Sequence, residues 1–148
     1  MSIWWSLHLR REAASVPLAR RLLLGAMETA GVDPDTSYDL SLALGEACAN
    51  AVEHAGEKSA EFRVTAYLDD ERCCIEVADS GPGFPSEPHF SRLRGPVPAD
   101  AENGRGLRLI EELADHVHFG NRAGRSGAVV SFDKSLKWRP DAPLTLTG

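Results

Sequence analysis

The run from Leu40 to His54 most narrowly constrains what this chain can fold into. Leu40, Leu44, Ala47, Cys48, Ala51 and Val52 recur at helical spacing, and Glu46 and Asn50 are carried within the same run. Residues four apart share one face of a helix, so Glu46 and Asn50 project together. Asp33-Pro34-Asp35 opens this helix and Gly56 lies just past its end. Two alternating runs follow it, Phe62-Val64-Ala66-Leu68 and Cys73-Ile75-Val77, joined by the polar turn Asp69-Asp70-Glu71. That pattern predicts a β-hairpin. Its second strand runs into Asp79-Ser80-Gly81-Pro82-Gly83, a carboxylate followed by a glycine-rich turn.

The flanking segments read in the same way. Ile3, Trp5, Leu7 and Leu9 alternate as a strand. A helix begins near Pro17, with Leu18, Leu22, Ala26 and Ala30 as its apolar stripe, Leu23 and Met27 widening it, and Gly31 as its stop. Residues Pro82 to Asn103 are rich in proline and read as a long loop with at most a helical turn near Phe90 to Leu93, of the kind that is either a functional lid or disordered. Gly104-Arg105-Gly106 ends it and opens a short helix marked by Leu107, Ile110, Leu113 and Ala114. Val117 to Phe119 and Ala128 to Phe132 complete the strands, and the segment from Pro140 to Gly148 is expected to fray. Strands and helices mix without strict βαβ alternation. The expected fold class is α/β of the α+β kind: a two-layer sandwich of a mixed, mostly antiparallel sheet with helices on one face. Residues 1–136 are expected to form a single domain, with 137–148 as a C-terminal tail.

Composition narrows the function classes. A chain of 148 residues is one ordinary domain, and 43% apolar with 26% charged residues is a globular balance. The net charge of −6 gives no electrostatic footprint for direct nucleic-acid binding. The N-terminus lacks a basic region before an apolar core, and no apolar run approaches the roughly 20 residues that span a bilayer. A cytoplasmic protein without membrane attachment is expected. Cys48, Cys73 and Cys74 match no zinc spacing and read as buried free thiols, with Cys73 and Cys74 on opposite faces of their strand.

Three short blocks carry candidate chemistry. Asn50 offers a neutral oxygen suited to Mg2+, which keeps several waters and takes few protein ligands. Glu46 beside it is placed to accept a hydroxyl proton; both are equally compatible with a solvated helix face. Asp79, at a strand end, is able to accept a hydrogen bond from an exocyclic amine such as that of adenine, and Gly81 and Gly83 let backbone approach a ligand closely. An ordinary Asp-Ser-Gly turn explains the same residues. Gly104-Arg105-Gly106 before a helix presents N–H groups to phosphate, although no Walker lysine follows and a third glycine is missing. His54 is better placed as a helix C-terminal residue favoured by the dipole than as a catalyst.

In this order, Glu46-x-x-x-Asn50-Ala51-x-x-His54-Ala55, Asp79-x-Gly81-x-Gly83-Phe84 and Gly104-x-Gly106-Leu107-x-Leu109-Ile110 resemble the three sequence boxes of the GHKL ATPase superfamily. Its members include gyrase-type topoisomerases, heat-shock-90 chaperones, MutL proteins and sensor histidine kinases. The run Gly45-Glu-Ala-Cys-x-Asn-Ala-Val-x-His-Ala55 resembles most closely the bacterial anti-sigma-factor serine-protein kinases of that superfamily. The similarity extends from the first strand to about Phe132. It implies a Bergerat fold binding ATP and Mg2+. Asn50 would hold Mg2+, Asp79 the adenine amino group, and Gly81 and Gly83 the adenine end of the pocket. Gly104, Gly106 and Leu107 would frame the lid hinge and phosphates, with Arg105 near the phosphates and Glu46 as the base acting on a partner serine or threonine. The last strand has Gly127-Ala128 where the family often has Gly-Thr, with Ser131 nearby as another hydroxyl, and the Pro82 to Asn103 segment has no lysine.

The resemblance therefore implies an anti-sigma regulator with serine/threonine kinase activity. Its partners would be a sigma factor, a STAS-type anti-anti-sigma protein, and a second copy of the chain in a homodimer. The Trp4-Trp5 pair suits such an interface, although one of two such tryptophans is more often core. A switch that binds ATP and sequesters a partner without phosphorylating it is the alternative. The catalytic domain of a sensor histidine kinase fits less well, since only about 16 residues precede the helix at Pro17. Intact Asn50, Asp79, Gly81 and Gly83 argue against a domain that has lost its nucleotide.

Overall fold

The computed structural model describes residues 2–54, 61–79, 102–121 and 127–142, and in the helices the side chains of His54 and of residues 102–106 lie outside this set. The elements are β1 (Ile3–Arg10), α1 (Ser15–Ala30), α2 (Pro34–His54), β2 (Glu61–Leu68), β3 (Arg72–Asp79), α3 (Glu102–Leu113), β4 (His116–Asn121) and β5 (Ala128–Ser135). The strands form one sheet in the order β1-β2-β3-β5-β4, and every ladder is antiparallel. The helices cover one face, which gives the expected α+β sandwich.

Local chemistry explains most of the boundaries. Gly31 closes α1 with φ 95°, a left-handed conformation that glycine adopts without a Cβ clash. Its N–H and that of Val32 both donate to the Met27 carbonyl. Asp33 caps α2, its Oδ2 accepting from the Thr36 N–H at 3.1 Å. Asp69 shapes the β2–β3 turn, its Oδ1 accepting from the N–H groups of Glu71 and Arg72, each at 2.8 Å. Those two donors hold the Asp69 carboxyl below the usual aspartate range.

The core lies between sheet and helices. Phe62, Val64, Ala66, Leu68, Cys73, Ile75, Val77, Val130 and Phe132 face Leu23, Met27, Leu40, Leu44, Cys48, Leu107 and Ile110. The α2 face matches its spacing, with Leu40, Leu44, Ala47, Cys48 and Ala51 all buried. The α1 face is corrected. The stripe that packs is Ala19, Leu23, Met27 and Ala30, while Leu18 and Leu22 remain 46% and 43% exposed. Small residues at 15, 19 and 30 let α1 approach its neighbours closely, which turns the leucines at 18 and 22 outward.

Two further expectations change. The third helix was expected from Leu107, but α3 begins at Glu102, so Gly104 and Gly106 lie within it. Glycine costs a helix about 1 kcal/mol relative to alanine; burial of Leu107 and Ile110 anchors the helix despite that cost. The chain does not fray at Pro140. Trp138 bridges to Val32, its indole N–H donates to the Asp70 carbonyl at 2.9 Å, and Ala142 is buried. The loop from Pro82 to Ala101 with its suggested turn at Phe90 to Leu93, and the turn through Gly124, lie outside the described residues.

Candidate nucleotide site

Strand β3 alternates so that Cys73, Ile75, Val77 and Asp79 point to the helix-covered face. Three of these are core residues and the fourth is a carboxylate, only 6% exposed, where the strand ends. A buried carboxylate needs hydrogen-bond donors. Asp79 Oδ1 accepts from the N–H of Ala128 at 3.1 Å, across the β3–β5 seam. That bond orients one carboxylate oxygen where the strand ends. The Ala128 position thus contributes through its backbone, which alanine supplies as well as threonine. Ser131 is a correction: it pairs with Glu76 and His118 on the outer face of the sheet, opposite the helices, and supplies no hydroxyl beside Asp79.

Helix α2 packs on β3, β5 and α3, and carries Glu46 and Asn50 one turn apart. Both are half-buried. Among the described residues neither side chain takes part in a hydrogen bond or ion pair. A half-buried carboxamide offers a neutral oxygen of the kind that replaces one water of a hydrated Mg2+. Helix α3 packs on α2, its first turns carry Gly104, Arg105 and Gly106, and Leu107 is buried in the core immediately after them. Amide groups at a helix start point outward and favour an anion.

The fold therefore brings Glu46, Asn50, Asp79 and the α3 start to the helix-covered side of the sheet. Gly81 and Gly83, like the Arg105 and His54 side chains, lie outside what is described. A depression of about 370 Å³ lies on the opposite, open face, lined by Thr65, Tyr67, Cys74, Glu76, His118 and Ser131 among others. It is separate from Asp79 and Asn50.

Residues 9–134 match a family described as the histidine kinase-like ATPase domain. The chain belongs to that family. This ATPase domain is similar to the serine-protein kinase RsbW of Staphylococcus epidermidis, 33% identical over 143 residues that cover 90% of this chain and 89% of the relative. The RsbW of Bacillus subtilis strain 168 is 32% identical over 124 residues, 79% of this chain and 78% of its own. Listeria innocua RsbW is 35% identical over 120 residues, 76% of each chain. Among solved structures, the catalytic domain of histidine kinase ThkA aligns with a TM-score of 0.56 over 90% of this chain and 95% of its own at 15% identity. The mycobacterial sensor histidine kinase MprB aligns with 0.55 over 91% and 100% at 14% identity. These structural likenesses establish the fold, and the GHKL resemblance of the three blocks stands with them.

The cysteines of this ATPase domain divide by environment. Burial pushes the Cys48 thiol up to about 12. Burial, with Cys74 and Asp69 adding to it, raises Cys73 as well. Cys74 is exposed on the open sheet face, contrary to the expectation that all three are buried, and partial burial and then Asp133 raise it less far. Only thiolate reacts with a disulfide reagent. The folded protein is expected to give one slowly titrating thiol at mildly alkaline pH, and the denatured protein all three. Rapid modification of two or more native thiols would contradict this arrangement.

Proposed function

We propose that the protein is a cytoplasmic anti-sigma regulator that binds Mg-ATP and phosphorylates a serine or threonine of a STAS-type anti-anti-sigma partner. The observation that carries this reading is the pairing of Glu46 and Asn50 on one half-buried face of α2, neither with a hydrogen bond or ion pair among the described residues, on the same side of the sheet as buried Asp79. The similarity to relatives named serine-protein kinases supports it.

Bound Mg-ATP supplies the phosphoryl group and the cation that neutralises its charge. Asn50 holds the cation through its carboxamide oxygen. Asp79 accepts from the adenine amino group while its bond to Ala128 fixes the carboxylate. Gly81 and Gly83 would shape the adenine end; the start of α3 around Gly104 and Arg105 would present its free amides to the phosphates, Gly106 would let the chain come close to them, Leu107 anchors that turn in the core, and the Arg105 guanidinium would reach the phosphates. Glu46 takes the hydroxyl proton as the serine oxygen forms its bond to phosphorus and the bond to the ADP oxygen breaks. Such transfer is mainly positioning and charge neutralisation, which a short set of residues is able to supply.

Partner binding has surface to draw on. Leu18, Leu22 and Tyr38 are exposed on the helices, and Trp4 is 66% exposed on β1, which is an edge strand among the described residues. Trp5, by contrast, packs against the core. The edge and Trp4 fit a homodimer contact, and the sigma factor is the remaining partner of this reading.

The test uses ATP labelled in its γ-phosphate, mixed with the protein and a STAS-domain protein from the same source. Label on a serine or threonine of the partner is expected. ATP bound without label transfer would replace this reading by that of a nucleotide-dependent binding switch.

A further inference from the structure

Lys134 breaks the pattern of β5. The inner-face positions before it, Ala128, Val130 and Phe132, are buried and apolar. Lys134 is next on that face, and only 21% of its side chain is exposed. A lysine turned toward the helix layer requires a reason, because its ammonium is strongly hydrated.

Its contacts supply one. The ammonium donates to the Leu113 carbonyl oxygen at 2.8 Å, and Leu113 is the last residue of α3. It stands 3.8 Å from Asp39 Oδ2 on α2. A cation at a helix C-terminus satisfies an orphan carbonyl and complements the helix dipole. One side chain thus links the sheet to the end of α3 and to α2. The other contacts between α2 and α3 include apolar packing around Leu107 and Ile110, which resists separation but is not directional. The Lys134 bond is directional. Helix α3 spans about 18 Å, so a change of tilt at Leu113 displaces its opposite end, where Gly104 and Gly106 lie.

We propose that Lys134 is a positioning residue for the nucleotide site, setting α3 against α2 and so placing the amide groups at the start of α3 relative to Asn50. The proposal rests on the ATP-binding reading given above, and deepens it. Lys134 acts at the phosphate end, since Asp79 is tied to the far end of β5 through Ala128.

The test compares Lys134→Met, which keeps the apolar stem, with Lys134→Arg and Asp39→Asn in the full chain. Calorimetric titration is expected to show Mg-ATP affinity about tenfold weaker in Lys134→Met and largely restored in Lys134→Arg. Adenosine affinity is expected to be unchanged, whereas general loosening would weaken both ligands together. Native-state hydrogen exchange without nucleotide is expected to speed up at Leu107 to Leu113 in Lys134→Met and to stay constant in α1. Wild-type affinity for ATP in Lys134→Met, or equal loss for ATP and adenosine, overturns the proposal. If Lys134→Met does not fold, Asp39→Asn decides: a loss confined to ATP supports the proposal, and wild-type affinity overturns it. If the wild-type chain binds no ATP, the nucleotide reading itself fails. Unchanged α3 exchange would then remove the positioning role as well, and faster exchange would retain its structural half.

Discussion

Asn50→Ala is expected to abolish Mg-ATP binding while leaving the fold intact. Asn50 is half-buried on α2 and makes no hydrogen bond among the described residues, so its removal leaves no orphaned partner inside the protein. Alanine is the better helix former by up to about 0.7 kcal/mol, so thermal stability should hold or rise slightly. The loss falls on the ligand. Without the carboxamide oxygen the cation has no protein ligand from α2, and the phosphates lose the link that joins them to this helix. Affinity should fall by roughly a hundredfold or more, about 2.8 kcal/mol at that bound. Calorimetry with and without Mg2+ checks this. Wild-type affinity in Asn50→Ala would remove Asn50 as the metal ligand, and a lower melting temperature would show that it holds the fold instead.

Glu46→Gln should divide the other way. Glutamine keeps the size and the hydrogen-bonding oxygen of Glu46 but cannot accept a proton at neutral pH. Glu46 makes no ion pair among the described residues, so neutralising it strands no charge. Mg-ATP binding should therefore remain at the wild-type level. Transfer of phosphate to a partner serine should slow by roughly 10²- to 10⁴-fold, the usual contribution of a positioned general base. Single-turnover transfer from labelled ATP to the partner measures this apart from binding. A fully active Glu46→Gln protein would exclude Glu46 as the base and leave positioning alone to account for transfer.

The sequence makes α2 legible because one apolar stripe dominates it. Leu40, Leu44 and Cys48 leave a single way to bury the helix, and that choice sets where Glu46 and Asn50 stand. Helix α1 carries two competing stripes one residue apart. Periodicity cannot choose between Leu18-Leu22 and Ala19-Leu23, because the decision rests on how closely the helix approaches its neighbours. The start of α3 was hidden for a related reason: its glycines favour a loop locally, and the burial that outweighs them is tertiary. Ser131 was misplaced because it lies three positions beyond Ala128, an odd step that reverses the face in a strand. Lys134 could not be singled out at all, since Leu113 and Asp39 become its neighbours only once the sheet and both helices have assembled.

The position of β1 at the sheet edge bears on how the chain is made. Among the described residues its strand partner is β2, with Arg10 opposite Glu61 and Ile3 opposite Leu68. Strand β1 precedes β2 in the chain by two helices, so it waits, with Trp4, Trp5, Leu7 and Leu9 unshielded, until both long helices and the following strand have been synthesised. Closing that loop is an entropic cost met before the pairing returns any free energy. This strand is made before its partner and docks late, and during that interval it is a stretch of nascent chain in need of protection from other unfinished chains.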